Sequence, residues 1–168
     1  MAQHTLEIRP AEISDRPVLE QLIADCYAAV YPGWYEADVL SEAMPAMLRI
    51  DPALLASGRY FVADFDKKLA GCGGWSAGAP GREKSDGAGH IRHFATHPDL
   101  MGKGVGGTIL EHCVSDAKAK GMARLQCFSS LPAESFYARH GFEKLDEVNV
   151  MLGESVSFPA VLMQRGLG

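Results

Sequence analysis

The sequence predicts an α/β fold built on one mixed sheet. Residues 60–76 hold two apolar runs around the polar turn 66–68, a pattern typical of a β-hairpin. Residues 90–128 follow the order strand, glycine-rich turn, helix and strand, which is the order of a βαβ unit with two parallel strands. These two segments together predict a sheet with both antiparallel and parallel neighbours.

The first fifty residues are predicted to contribute one strand and two helices. Residues 5–9 alternate in polarity and suit a strand, and Ser14 is placed to cap the helix after it. Tyr-Pro-Gly over residues 31–33 should end that helix. Its apolar residues recur at helical spacing up to that point: Val18, Leu19, Leu22, Ile23, Cys26 and Val30. A second helix over residues 39–48 should be kinked or split at Pro45, which removes a backbone donor.

The rest of the chain alternates strands, turns and helices. Residues 78–89 are rich in glycine and are predicted to form a mobile loop. The elements predicted after it are, in order, a strand over 90–96, a glycine-rich turn over 102–107, a helix up to Gly121, a strand over 125–128, a short helix over 132–139 that stops at Gly141, and strands over 142–150 and 156–163.

The composition is that of a globular protein and argues against several other classes. The chain has 168 residues, 47% of them hydrophobic, which predicts a single domain over residues 1–168. The net charge of -5 and the lack of a basic stripe argue against a nucleic-acid partner. No run of about 18 apolar residues is present to span a membrane, and residues 1–5 do not resemble the start of a signal peptide. The four cysteines are widely spaced and indicate buried thiols in a reducing compartment, so we expect a cytoplasmic location.

The clearest functional motif is Met-Gly-Lys-Gly-Val-Gly-Gly-Thr over residues 101–108. Glycines at a strand-to-helix junction let the backbone approach an anion, and the free amides of the first helical turn point at it. A diphosphate is the natural ligand for such a turn, and a glycine-rich turn without any ligand is the alternative. Gly102, Gly104 and Gly107 also satisfy G-x-G-x-x-G, but residues 127–130 supply no acidic residue for a dinucleotide ribose. A nucleoside-triphosphate loop is excluded because Lys103 lies among the glycines rather than after them.

Two further stretches carry a family resemblance. Residues 94–106, Phe-Ala-Thr-His-Pro-Asp-Leu-Met-Gly-Lys-Gly-Val-Gly, combine a strand with a pyrophosphate loop of the form Arg/Gln-x-x-Gly-x-Gly/Ala. Residues 133–142, Ala-Glu-Ser-Phe-Tyr-Ala-Arg-His-Gly-Phe, match Ala-x-x-Phe-Tyr-x-x-x-Gly-Phe. Together they resemble the GNAT superfamily of acyl-CoA-dependent N-acyltransferases. The resemblance implies a mostly antiparallel sheet of about seven strands, with a splayed parallel pair formed by the fourth and fifth strands and helices on both faces.

The resemblance implies a site for acetyl-CoA or coenzyme A as co-substrate. Backbone groups near Phe94, Ala95 and Thr96 would pair with the pantetheine arm, and Ser130 and Ser135 would lie close to the cofactor. The pyrophosphate would be held by the turn and helix start, which comprise Met101, Gly102, Lys103, Gly104, Val105, Gly106, Gly107 and Thr108. Met101 stands where the family usually has Arg or Gln, so a side-chain contact to the cofactor is lost. Ser130 stands where Asn is common, which weakens the positioning of the cofactor there.

The catalytic candidates implied by the resemblance are one tyrosine and two histidines. Tyr137 would lie beside the sulfur, where a protonated phenol can give its proton to the departing thiolate, or it would only pack against the cofactor. His90 and His93 are candidates to take the proton of the incoming amine, with an ordered water as the alternative. The two histidines have opposite parity, so on an unbulged strand only one of them can face the cleft.

The implied reaction is transfer of an acetyl group from acetyl-CoA to a primary amine of a small molecule or peptide. Direct attack in a ternary complex is the expected mechanism. A non-catalytic acyl-CoA-binding or sensing module of the same fold is the alternative, and a homodimer is a further expectation. His93 with His97 is too small a set for a metal site, and Cys127 is either an acyl-carrying nucleophile or an inert thiol. Three aromatic residues either line the acceptor pocket or pack in the core: Trp34, Tyr35 and Trp75.

Overall fold

Seven strands form one sheet, and a single parallel pair interrupts its antiparallel pattern. The computed structural model describes residues 5–78, 86–152 and 156–168. Within it the strand order is β1-β2-β3-β4-β5-β7-β6, and only β4 and β5 are parallel neighbours. The strands are β1 Leu6–Pro10, β2 Tyr60–Phe65, β3 Lys68–Ser76, β4 Ala88–Thr96, β5 Arg124–Ser129, β6 Glu143–Leu152 and β7 Val156–Gly166. The predicted α/β fold with a parallel fourth and fifth strand is confirmed.

Helices cover both faces of this sheet and create two apolar clusters. The helices are α1 Arg16–Val30, α2 Ala37–Met47, α3 Pro52–Ala56, α4 Val105–Ala119 and α5 Glu134–Arg139. One cluster joins α4 and α5 to one face through residues such as Ile109, Leu110 and Tyr137. The other joins α1, α2 and α3 to the opposite face through residues such as Leu19, Ile23 and Leu55. We call these the α4 face and the α1 face of the sheet.

Local capping explains where the first helices depart from the prediction. Ser14 does not cap α1, because it lies inside the short 3-10 turn Ile13–Asp15. The side chain of Asp15 instead accepts a hydrogen bond from the backbone N–H of Glu12 at 2.8 Å. Pro45 does not split α2, which continues to Met47. It lies in the last turn, where its missing N–H costs only one intrahelical hydrogen bond.

Other boundaries follow the predicted turn chemistry. The predicted hairpin of β2 and β3 is confirmed, and Asp66 and Lys67 make its turn with φ of 50° and 67°. Gly141 follows α5 with a φ of 81°, as expected for a glycine that ends a helix. Most of the loop predicted over 78–89 lies outside the described residues, and β4 already begins at Ala88. No helix in the described part of the chain has the length and apolar character needed to cross a membrane.

The parallel pair is short, and the two strands separate after it. β4 and β5 pair only at Ala88–Arg124, Gly89–Leu125 and His90–Gln126. Beyond these pairs β4 continues to Thr96 beside β3, and β5 continues to Ser129 beside β7. An opening therefore lies between the carboxyl ends of β4 and β5, as the resemblance implied.

A bulge next to this opening changes which side chains share a face. The register of β3 with β4 shifts between Cys72 and Gly74, and His93 has a φ of 48°. Before the bulge Ile91 packs on the α4 face, and after it Ala95 packs on the α1 face. The alternation therefore skips one residue, as a bulge requires. The expectation that only one of His90 and His93 can face the cleft was based on an unbulged strand. Because β4 has a bulge at His93, the parity of the two residues no longer decides which of them faces the cleft.

Candidate functional site

The opening between β4 and β5 holds a cavity of about 890 Å³. This volume is within the range of small-molecule sites, roughly 300–1,000 Å³. Its walls come from α1, the end of β4, the turn before α4, the end of β5, and α5. Sequence-predicted residues along it are His93, Phe94, Ala95, Thr96, Met101, Gly102, Gly104, Val105, Gly106, Gly107, Thr108, Ser130 and Tyr137.

Three predicted site residues do not line this cavity. Lys103 and Ser135 lie at the protein surface with exposed side chains. His90 is 3% exposed and lies beneath the opening, at the last paired position of β4 and β5. Their predicted roles therefore have no support from the shape of the cavity.

The glycine turn presents backbone N–H groups to the cavity. Gly104 has a φ of 81° and is the N-cap of α4, a conformation that suits glycine. The first helical hydrogen bond of α4 runs from Thr108 N–H to the carbonyl of Gly104 at 3.0 Å. The N–H groups of Val105, Gly106 and Gly107 precede it and have no partner within the helix. A Cβ at Gly102 or Gly104 would meet no atom within 4 Å, so open space lies beside these two glycines at the helix start.

The side chains at this end of the cavity carry a net positive charge. Glu111, Arg139 and His140 line the cavity beside the glycine turn. The Glu111 carboxylate accepts hydrogen bonds from Arg165 at 2.9 Å and contacts Nδ1 of His140 at 3.2 Å. Burial raises the pKa of Glu111, but hydrogen bonds with Arg165 and His140 outweigh it and lower that pKa overall. The single carboxylate is therefore neutralised, and a diphosphate would meet free amides and the Arg139 guanidinium.

Tyr137 projects from α5 into the cavity with its hydroxyl free. Its ring lies edge-on to Phe94, Phe136 and Phe142, with centroid distances of 6.5, 5.1 and 5.5 Å. Within the described residues its hydroxyl makes no hydrogen bond. Burial raises the pKa of Tyr137 well above its ordinary value of 10, so the phenol is protonated at neutral pH. The side chain can therefore donate a proton or a hydrogen bond to a bound molecule.

The wall that α1 contributes was not predicted from the sequence. Cys26, Tyr27 and Tyr31 line the cavity opposite Tyr137. The rings of Tyr27 and Tyr31 stack at 4.5 Å, and Ser130 at the end of β5 lines the same cavity. The four-residue spacing of Tyr27 and Tyr31 was the available signal, because it places both rings on one helix face. Helical periodicity alone could not show that this face meets a cavity.

Both candidate histidines are neutral at physiological pH. Burial lowers the pKa of His90 from 6.5 to about 4, assisted by the charge of Arg92 and opposed by a hydrogen bond with Gln126. Burial and Arg92 also lower the pKa of His93 to about 4. Of the two, only His93 lines the cavity, where the Tyr60 hydroxyl donates a 2.7 Å hydrogen bond to the His93 carbonyl and holds the bulge.

The remaining candidates have structural roles. Burial raises the pKa of the Cys127 thiol to about 12, which disfavours the thiolate that a nucleophile requires. Trp75 is 1% exposed on the α4 face and donates from Nε1 to Asp116, so it belongs to the core. Tyr35 packs against Phe158 at 4.2 Å, outside the cavity lining. Across residues 5–78, 86–152 and 156–168, no three His, Cys, Asp or Glu side chains form a group suited to a metal.

Comparison with known families identifies the class of protein that this fold and site define. The acetyltransferase (GNAT) domain family matches residues 56–144. The chain belongs to this family, and the resemblance inferred from its two motifs is confirmed. A comparison with curated proteins found no match.

Solved structures of other proteins share the fold. A GCN5-related N-acetyltransferase from Rhodopseudomonas palustris is 20% identical with a TM-score of 0.78, over 99% of this chain and 98% of that one. PaiA N-acetyltransferase from Thermoplasma acidophilum, solved with coenzyme A, is 17% identical with a TM-score of 0.72, over 96% and 99%. N-acetylglutamate synthase from Neisseria gonorrhoeae, solved with coenzyme A and N-acetyl-glutamate, is 18% identical with a TM-score of 0.65, over 99% of this chain and 36% of that one.

The two depressed histidine pKa values predict that acid destabilises the fold. At pH 5 an unfolded histidine with a pKa near 6.5 is mostly protonated, whereas His90 and His93 stay neutral in the folded state with a pKa of about 4. The unfolded state then binds more protons, so stability falls as pH drops from about 6.5 towards 4. Each histidine should lower the free energy of unfolding by about 1–2 kcal/mol at pH 5 relative to pH 7.5.

Urea unfolding at both pH values measures this loss of stability, and the double variant H90Q/H93Q should show a smaller loss. An equal loss in both proteins would contradict the pKa assignments.

Proposed function

We propose that this protein is an N-acetyltransferase that moves an acetyl group from acetyl-CoA to a primary amine. The observation that carries the proposal is the cavity between β4 and β5. Backbone N–H groups at the start of α4 line one end of this cavity, and the free hydroxyl of Tyr137 lies on its wall. A thioester attached to a diphosphate through a long arm has the chemistry that such a site would bind. Two of the structures that share the fold, PaiA N-acetyltransferase and N-acetylglutamate synthase, were solved with coenzyme A, which supports the same ligand.

Binding would use the backbone more than the side chains. The pyrophosphate would accept hydrogen bonds from the N–H groups of Val105, Gly106 and Gly107, with the α4 dipole adding attraction. The pantetheine arm would lie along the edge of β4 near Phe94 and Ala95, where no β5 residue pairs with it.

The reaction would join the amine nitrogen to the thioester carbon as the carbon–sulfur bond breaks. Acetyl-CoA supplies the acetyl group as an activated thioester. Tyr137 would donate its phenolic proton to the departing thiolate, since burial keeps the phenol protonated at neutral pH. His93, or a water beside it, would take the proton that the amine loses. His93 fits this role better than His90 because it lines the cavity and His90 does not.

The glycine turn gives a test of cofactor binding with a matched control. Gly104 and Gly121 have φ of 81° and 87°, and a Cβ at either position would meet no atom within 4 Å. G104V and G121V should therefore suffer similar backbone strain, at least about 1–2 kcal/mol. Coenzyme A should raise the melting temperature of wild type and G121V, because it binds only the folded state. The increase should be absent in G104V, whose side chain would fill the space beside the amides. An equal increase in all three proteins would place the cofactor elsewhere.

The hydroxyl of Tyr137 gives the test of catalysis. Y137F keeps the ring contacts with Phe136 and Phe142 and deletes only the proton donor. General-acid assistance is typically worth about 10²–10⁴-fold, and a thiolate is a fairly stable leaving group, so turnover should fall at least about tenfold. Release of free thiol from acetyl-CoA with a panel of primary amines measures this rate. Melting-temperature shifts should show that coenzyme A still binds the variant.

A second tyrosine serves as the control for this experiment. Y35F also deletes a buried hydroxyl, but Tyr35 lies outside the cavity, where it donates to the carbonyl of Pro159 at 2.8 Å. Tyr35 also accepts a 2.8 Å hydrogen bond from the Leu131 N–H, so this variant should lose about 1–3 kcal/mol of stability and keep its turnover. Normal turnover in Y137F would reduce Tyr137 to a packing residue. Binding of coenzyme A without turnover of any amine would instead favour the non-catalytic acyl-CoA-binding module.

A further inference from the structure

A patch of polar side chains lies on the α1 face of the sheet, next to the bulge. We call it the polar patch, and its members are Ser76, His90, Arg92, Gln126 and Gln164. Their neighbours along the strands, such as Trp75, Ile91 and Leu125, point into the core of the α4 face. Alternation therefore places the five polar side chains together on the opposite face. Hydrophobic residues cover the α1 face elsewhere, so this patch needs an explanation.

Arg92 is the one cation of the patch, and its charge is not neutralised by contact. Its guanidinium donates to the hydroxyl of Ser76 at 3.3 Å, and no carboxylate lies within 4 Å of it among the described residues. Asp51 is the nearest acidic influence on it, but that carboxylate caps α3 by accepting from Ala53 N–H at 2.9 Å. A partly buried guanidinium without an anionic partner is costly, and a bound carboxylate would relieve that cost.

His90 gives a second, independent sign of a ligand. Its partner across the parallel pair is Gln126, whose amide donates to Gln164 at 2.8 Å. Its Nδ1 is buried and has no hydrogen-bond partner among the described residues. Buried polar atoms are rarely left unsatisfied, so this nitrogen is suited to accept a hydrogen bond from a bound molecule. The unpartnered nitrogen belongs to the same patch as Arg92.

The patch adjoins the place where transfer would occur. Arg92 directly precedes His93, which forms the bulge and lines the cavity. A molecule whose carboxylate is bound by Arg92 could place an amino group in the cavity if only a few bonds separate the two groups. An α-amino acid has this arrangement, because two bonds separate its nitrogen from its carboxyl carbon.

We propose that the polar patch binds the acceptor and that Arg92 selects acceptors that carry a carboxylate close to the reacting amine. The acceptor class is therefore amino acids or their close relatives. This proposal rests on the proposed acetyl transfer, since it names the substrate of that reaction. Arg92 would be a specificity residue that contacts the substrate and takes no part in the proton transfers.

Binding of the expected products tests the proposal without requiring turnover. The probes are a pool of N-acetyl-L-amino acids and a matched pool of their N-acetyl amides, each added to protein saturated with coenzyme A. Ligand-observed NMR measures which members bind. At least one acid should bind wild type at least about tenfold more tightly than its amide. R92Q should bind that acid and its amide within about threefold of each other, and R92K should restore part of the preference.

A control and the opposing outcomes complete the design. R9Q removes the same charge from β1, an edge strand that contributes no residue to the polar patch, and should leave the preference for the acid unchanged. Equal binding of acid and amide by wild type, an unchanged preference in R92Q, or binding of neither pool would each overturn the proposal. If the acid binds through Arg92 but no amino acid is acetylated, the carboxylate site stands and the proposed transfer fails.

Discussion

The separation of β4 from β5 is the constraint on which the site depends. β5 keeps its pairing with β7 up to Ser129, and β4 keeps its pairing with β3 up to Thr96, so neither strand can follow the other beyond three residue pairs. Each strand then has one edge without a partner inside the sheet, and backbone groups on such an edge seek hydrogen bonds. A ligand with an extended arm can supply them. The cavity, the glycine turn at its end and Tyr137 on its wall are all arranged around this opening.

The electrostatics of the opening favour an anionic ligand and a neutral reaction centre. The only acidic residue on the cavity wall, within the described residues, is Glu111, and Arg165 pairs with it. Deeper in the opening, burial keeps Tyr137 protonated and His93 unprotonated near neutral pH. The phenol thus carries a proton, and the imidazole has a ring nitrogen without one. Acyl transfer to an amine needs a proton donor and a proton acceptor.

Features set by residues that are contiguous in the chain could be predicted from the sequence. Features set by contacts between residues far apart in the chain could not. The glycine turn, the short parallel pair and the placement of Tyr137 follow from motifs contiguous in the chain. The relation of His90 to His93 could not be predicted, because the bulge at His93 depends on its register with β3. The Tyr27–Tyr31 wall was missed for a similar reason, since helical spacing predicts a buried face but not what lies opposite. Trp75 looked equally suited to a pocket or a core. The strand β3 has glycines at positions of both parities, at 71, 73 and 74, so the sequence does not show which of its faces is apolar.

Amide hydrogen exchange with and without coenzyme A tests the central claim most directly. If the ligand lies in the opening as an additional neighbour of β4 and on the helix start, exchange should slow at residues 94–95 and 105–107. The outer edge strands β1 and β6 should exchange at unchanged rates, because they lie at the two ends of the sheet. Slowing confined to β1 or β6, or no slowing at the glycine turn, would contradict the account and place the ligand outside the opening.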